Sequence, residues 1–324
     1  MDIRRQEMCE LALQNRQYTK NIMRSQDLEF SSLCAVIAAC RGIKLSDDEI
    51  TYTHNLIKKS KFLGSEFLPG SRIALATTMH MDPDPDTVIE RIIKIDKLLL
   101  SKMLPSHHLS LTAMVMGEML PPEDDENAAE QVNQIYKYLR GLFPFLISDN
   151  DCNAAALAYI SGVDMEVFGR RMEDGLGQLR KHALSRKVLI PLAQLFALSN
   201  RSTDEKVDEF REVLDALEDK NIPVGTEDYD FAAIGALALC KRDDSFAQNI
   251  KDMCDYLSDT ATTNALMRRV RNRRRVLYAM FMETACLIDE TEDYAMMRRM
   301  MTLLRSAQLA TLVNDVTSFL GGIN

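Results

Sequence analysis

Tryptophan is absent from the 324-residue chain, and glycine and proline are scarce, at 13 and 9 residues. The first absence removes the broad aromatic platforms on which sugars and bases stack. The second argues against an all-β fold, whose many turns draw on both residues. No apolar run approaches the roughly 18–20 residues that a membrane-crossing helix needs. The opening Met-Asp-Ile-Arg-Arg-Gln-Glu-Met lacks the apolar core of a signal peptide. The cysteines at 9, 34, 40, 152, 240, 254 and 286 form no Cys-x-x-Cys pair, so neither a zinc knuckle nor a dithiol redox motif is written here. Several lie in apolar blocks, where Cys acts as a small hydrophobe. Free thiols of that kind fit a reducing compartment, so the expected location is cytoplasmic, with no membrane association. A net charge of −9 argues against a nucleic-acid partner for the molecule as a whole.

What the chain does have is a repeated design, clearest between Tyr229 and Leu257. An apolar block of small residues, Phe231–Leu239, meets a polar break, Lys241-Arg-Asp-Asp244. An amphipathic run follows, with Phe246, Ile250, Met253 and Leu257 at helical spacing. The unit reads as a hairpin of a buried small-residue helix and a half-buried outer helix. The apolar blocks begin near residues 33, 73, 111, 154, 192, 232 and 276, at steps of 38 to 44 residues. Ser46/Glu49, Thr87/Glu90 and Ser202/Glu205 have the spacing of capping boxes at outer-helix starts. A fully apolar helix needs neighbours on both sides, so such units stack. The spacing predicts an all-α chain, with helical-hairpin repeats forming an α-solenoid or α/α superhelix. It places about seven hairpins in one domain over 1–324, with a polar helical lead-in at 1–30. The looser seventh pair puts its outer helix at Tyr294–Leu304, and a separate terminal helix covers 307–324. An open arc and a closed toroid are equally compatible with this spacing.

Two stretches, Leu104-Pro-Ser-His-His-Leu-Ser-Leu-Thr-Ala113 and Asp228-Tyr-Asp-Phe-Ala-Ala-Ile-Gly-Ala-Leu237, together with the helix order, carry a likeness. The chain resembles an uncharacterised bacterial family of cytosolic, all-helical proteins of about this length. The resemblance implies the fold and transfers no activity.

The densest local signal is basic: Arg268, Arg269, Arg271, Arg273, Arg274 and Arg275, with Arg298 and Arg299 further on. Guanidinium groups grip carboxylate and phosphate bidentately, so the cluster is the candidate site for an anionic partner. The competing reading is a solvated turn and helix start. Asp82, Asp84 and Asp86 alternate as at the start of a calcium loop, but Thr87 and Ile93 stand where its glycine and final glutamate belong. His54 lies on an apolar stripe, and His107-His108 has no ligand at helical spacing to complete a metal site. Asp289-Glu-Thr-Glu-Asp293 and Asn314–Ser318 do not complete the paired acidic motifs of a helical cyclase. Gly175-Leu-Gly177 lacks the third glycine and the strand of a dinucleotide fold. No metal or cofactor is therefore expected, and the motifs assign no catalytic residue. The resulting expectation is a non-enzymatic module that binds a protein or peptide on the concave surface of the stack, with self-association as a further partnering mode. The alternative is an enzyme of unknown reaction with its site inside the helical curve.

Overall fold

The structure is a computed structural model that describes residues 1–22, 28–59, 69–79, 84–104, 108–148, 151–182, 186–240, 242–259, 267 and 269–321. Among them it has fifteen α-helices and no strand. Seven amphipathic helices are α1 (Ile3–Ile22), α3 (Asp47–Lys59), α5 (Pro85–Leu100), α7 (Asp125–Leu142), α9 (Met165–Leu179), α11 (Thr203–Asp219) and α13 (Phe246–Ser258). They alternate with α2 (Leu28–Cys40), α4 (Pro69–Thr78), α6 (Leu109–Met119), α8 (Cys152–Ile160), α10 (Arg186–Leu198), α12 (Asp228–Leu239) and α14 (Asn272–Asp289). The last helix is α15 (Tyr294–Gly321). The alternation follows the residue pattern. In α13 the buried positions are Phe246, Ala247, Ile250, Met253 and Leu257, one stripe of the helix. In α12 everything from Ala232 to Leu239 is buried, so no face is left for water.

The units pack in a different frame from the one the sequence suggests. Each amphipathic helix lies along the apolar helix that follows it, giving the pairs α1/α2, α3/α4, α5/α6, α7/α8, α9/α10, α11/α12 and α13/α14. The short polar break after an apolar helix looks like a hairpin turn. A short loop, however, fixes neighbours only at one end, whereas shared surface along the whole length decides the pairing. The starts of the outer helices differ in part too. Ser202 and Glu205 form the expected capping box, and Glu49 N–H donates to Ser46 Oγ. Thr87, by contrast, already lies inside α5, whose cap is Asp84, with Pro85 next to it.

The apolar helices pack in the order α2, α4, α6, α8, α10, α12 and α14, and α14 packs back on α2. The amphipathic helices repeat this outside them, from α1 to α13 and back to α1. The result is two concentric rings, closed by contacts between the beginning and the end of the chain. The segment expected to be a polar lead-in is thus the first outer helix, wedged against α2, α13 and α14. Four of its polar residues, Arg5, Asn15, Arg16 and Thr19, are buried tethers. Arg5 makes a two-pronged bond to the fully buried Glu283 of α14, at 2.6 and 2.9 Å. Arg16 Nε donates to Ser32 Oγ at 2.7 Å, and Asn15 bonds the Leu45 amide and the Ile43 carbonyl.

The hole of the inner ring is filled. Helix α15 runs through it and touches α2, α4, α8, α10, α12 and α14. The two helices expected over 294–304 and 307–324 are, within the described residues, this single one, because Arg305 and Ser306 include neither a glycine nor a proline to break it. Close approach at the centre depends on small residues: a Cβ on Gly235 would lie 2.6 Å from Leu192 Cδ1. The main apolar core extends from Met8 to Leu312, beside a small separate cluster of Ala38, Leu45 and Ile50, at about 1.5–3 kcal/mol per large side chain buried.

Candidate functional site

The arginine cluster sits at the start of α14, and the structure spreads it out instead of gathering it. Arg268 lies outside the described residues, as do Asp82 and His107. Arg274 is buried, donates to Asp315 of α15 at 2.6 Å, and lies 4.3 Å over the Tyr229 ring. Burial alone would lower its pKa, but Asp315 beside it outweighs that and holds it above the ordinary arginine value. Arg271 is exposed and grips Glu29 of α2 through two bonds of 2.6 and 2.5 Å. Burial raises the Glu29 carboxyl, and Arg271 and Arg274 more than reverse this, leaving it below the glutamate range. Arg275 donates to the Val270 carbonyl at 2.7 Å. Only Arg269 and Arg273 project into solvent without a bonded carboxylate among the described residues. Much of the cluster is therefore a clasp among α2, α12, α14 and α15.

Two cavities open elsewhere, where the inner helices end. The first, about 440 Å³, is lined by Ala39–Gly42 at the end of α2, Glu118 of α6, Ile288 and Asp289 of α14, and Arg305 of α15. The second, about 590 Å³, is lined by Ile160–Asp164 after α8, Leu198–Arg201 after α10, Leu239 of α12, and the first turns of α15. The inner helices all point their C-termini at this face, and α15 enters from it and runs antiparallel to them. A smaller cavity of about 250 Å³ lies on the opposite face, where Gln194 donates to Asp151 at 2.6 Å.

The first cavity has a charged floor. Arg41, just past the end of α2, reaches across α4 to an ion pair with Glu118. Its Nη1 also lies 3.9 Å from Met79 Sδ at the end of α4. Arg305 reaches the same Glu118 oxygen at 2.9 Å and donates to Gln308 Oε1 at 2.5 Å. Burial would raise the Glu118 carboxyl, but the two guanidinium groups hold it below the usual glutamate value. Burial and the neighbouring Arg305 push Arg41 down to about 10, against the pull of Glu118. Cys40 on the wall is pushed well above an ordinary thiol by burial and stays protonated.

The second cavity is lined by four arginines, Arg171, Arg201, Arg298 and Arg299, and by one acidic residue, Asp164. The Asp164 carboxylate is occupied in capping α9, accepting from the amides of Glu166 and Val167. Arg171 donates to the Ala197 carbonyl at 3.4 Å, and Arg201 shares Glu209 with Arg242. Arg298 and Arg299 are exposed on the first turns of α15.

Other residues singled out in the sequence serve the fold. Asp84 caps α5, and Asp86 accepts from the Tyr52 hydroxyl at 2.6 Å. His108 is the buried residue that opens α6. Burial, with Arg72 and Lys58 nearby, lowers the half-buried His54 below the ordinary histidine value. Asp289 pairs with Arg4 at 2.7 Å. Among the described residues, no three His, Cys, Asp or Glu side chains gather as a metal ion requires. None of the helices there is long and apolar enough to cross a membrane. Sequence reading missed Arg41, Glu118 and Arg305. The available signal was a lone charge in an otherwise apolar helix, as with Glu118 in Leu109–Met119.

No curated protein and no solved structure matches the sequence. The profile of one family, described as a protein of unknown function, matches residues 17–305, from within α1 to the middle of α15. The chain belongs to that family, DUF4003.

Proposed function

We propose that this protein is a non-enzymatic binding module that takes an acidic segment of a partner protein on the face where its inner helices end. The observation that carries the reading is the second cavity, with four arginines around a single, already engaged aspartate. The concave surface of an open stack is not the docking place, because α15 occupies the centre of the rings. Against the acidic remainder of the molecule, a local basic mouth orients and accelerates the approach of an acidic partner. The enzyme alternative calls for a titratable group poised near neutrality on a cavity wall. Burial pushes Asp96 up to about 7, Asp230 up to about 6 and Lys206 down to about 8. None of these three lines a cavity described above. On the first cavity, Glu118 is pinned by two arginines and the Cys40 thiol is neutral, so neither serves as base or nucleophile.

Within this reading, the exposed Arg269 and Arg273 on the opposite face are the competing place for the acidic partner. Anisotropy of a fluorescein-labelled deca-glutamate peptide separates the two. The double variant Arg298→Gln/Arg299→Gln is expected to weaken binding at least tenfold and flatten its salt dependence. Arg269→Gln/Arg273→Gln is expected to leave both unchanged. The reverse pattern moves the partner to the start of α14, and a peptide that does not bind the unsubstituted chain overturns the reading. Sedimentation of the unliganded chain reports whether the acidic segment comes from a second copy.

A further inference from the structure

The first cavity differs from the second in where its charge lies. Its rim is acidic by one charge, since Arg4 pairs with Asp289 and the exposed Glu7 stands beside them. At the floor, Arg41 and Arg305 share one carboxylate, that of Glu118. Two cations and one anion leave a single positive charge beneath the surface, where desolvation makes it costly unless an anion joins it. The Arg305 Nε donor there also lacks a hydrogen-bond partner among the described residues, and so does Nε2 of the fully buried Gln308, which is bonded to Arg305 but does not line the cavity.

The walls have the opposite character. Met8 and Leu11 of α1, Ile288 of α14 and Met297, Met301 and Leu304 of α15 line them. Methionine side chains are unbranched and adjust to the shape of an apolar guest. A volume of about 440 Å³ falls in the usual range of small-molecule sites, roughly 300–1,000 Å³.

We infer that the first cavity binds an amphipathic monocarboxylate, a small acid with an apolar body, whose carboxylate sits on Arg41 and Arg305 and whose body lies between α1 and α15. One net charge at the floor matches a monoanion, and a dianion would overshoot it. The planar fork of guanidinium fits a carboxylate bidentately. The exposed Glu7 at the mouth disfavours an anion at the rim, so the head belongs at the floor and the tail toward solvent. The site is separate from the arginine mouth proposed for an acidic protein segment, and neither depends on the other.

The competing explanation is that Arg41, Glu118 and Arg305 only tether α15 to the ring. Calorimetric titration of the full chain with sodium decanoate, below its micelle threshold, distinguishes the two, with decanol as the uncharged control. Decanoate is expected to bind one-to-one, and decanol at least tenfold more weakly. Met301→Trp fills the cavity and leaves the three charged residues in place, so it should weaken decanoate at least tenfold while the urea midpoint stays near that of the parent. Leu11→Trp fills it from the α1 side and gives the same readout if Met301→Trp does not fold. Arg298→Gln/Arg299→Gln should leave decanoate binding unchanged. No decanoate binding, equal binding of decanol, or decanoate binding that persists in the filled cavity would overturn the assignment.

Discussion

Closure of the rings makes a sharp energetic demand on one ion pair, Arg5 with Glu283. Arg5 opens the first helix and Glu283 lies near the middle of the fourteenth, so the pair joins the two ends of the chain. Both residues are buried, Glu283 completely, and the guanidinium makes two bonds of 2.6 and 2.9 Å to the carboxylate. The Glu283 bond keeps Arg5 charged, above the ordinary arginine range, against the lowering effect of burial. Removing Arg5 leaves Glu283 buried with only the Asn249 amide bonded to it, which costs about 3–5 kcal/mol, whereas removing Glu283 costs less because Asp2 and Glu290 still pair with Arg5. Arg5→Met should lower the stability by that amount, and Glu283→Met by less, in urea unfolding followed by circular dichroism. The double variant should cost well under the sum, because no orphan charge remains. Arg4→Met is the control. Its pair with Asp289 is 2.7 Å long but lies at the surface, with side-chain exposures of 42% and 51%, so about 0–1 kcal/mol is expected. Single variants costing less than about 1 kcal/mol would refute the closure, since a frayed first helix could lose the pair without consequence.

Two further predictions concern stability. Burial alone raises the Asp96 carboxyl from its ordinary 3.8 up to about 7, and its Oδ2 has no hydrogen-bond partner among the described residues. Between those values the folded chain holds a proton that the unfolded chain releases, so stability falls as pH rises through the window and the full cost is present above pH 7. Asp96→Asn should therefore stabilise by roughly 1–3 kcal/mol at pH 8 and by almost nothing near pH 4. Urea melts at the two values check this, and equal effects at both would remove burial as the cause. Glycines give the second contrast. A Cβ on Gly175 would meet Ala193 at an ordinary 3.7 Å and one on Gly177 meets nothing, so each change to alanine should add up to about 1 kcal/mol of helix stability. On Gly225 it would lie 1.9 Å from Asp230 Oδ2, which accepts from the Glu227 amide at 3.0 Å, so Gly225→Ala should cost about 1–3 kcal/mol. Thermal melts of the three variants rank them.

The helices were legible because their apolar spacing is a local property. Phe246, Ile250, Met253 and Leu257 mark a half-buried helix, and Ala232–Leu239 marks a wholly buried one, whatever surrounds them. Which helix lies along which was not legible, because pairing depends on surfaces far apart in the chain. The polar start misled for the same reason. Arg5, Asn15, Arg16 and Thr19 read as solvent-facing until α2, Leu45 and Glu283 supply their partners. The arginine run misled differently. Six like charges within eight residues describe composition, and the fold sends Arg274 inward to Asp315 while Arg273 faces water.

The centre of the molecule decides where a ligand can go. Two closed rings of seven helices would leave a hole, and in this chain that hole is not available, because α15 packs against six of the inner helices. Filling it turns one potential site into two smaller ones, each using a different side of the same helix as a wall. Arg298, Arg299, Thr302 and Leu303 line the second cavity, whereas Met297, Met301, Leu304 and Arg305 line the first. Residues three and four apart share a helix face, so the division follows from helical geometry. The first turns of α15 are polar outward, and its lower half carries Arg305, Gln308 and Asp315 as buried anchors to the ring. A helix anchored in this way is a fixed wall, and binding at either cavity needs no rearrangement of the rings. That is why substitutions on two sides of one helix, Arg298 with Arg299 and Met301, can test two sites independently.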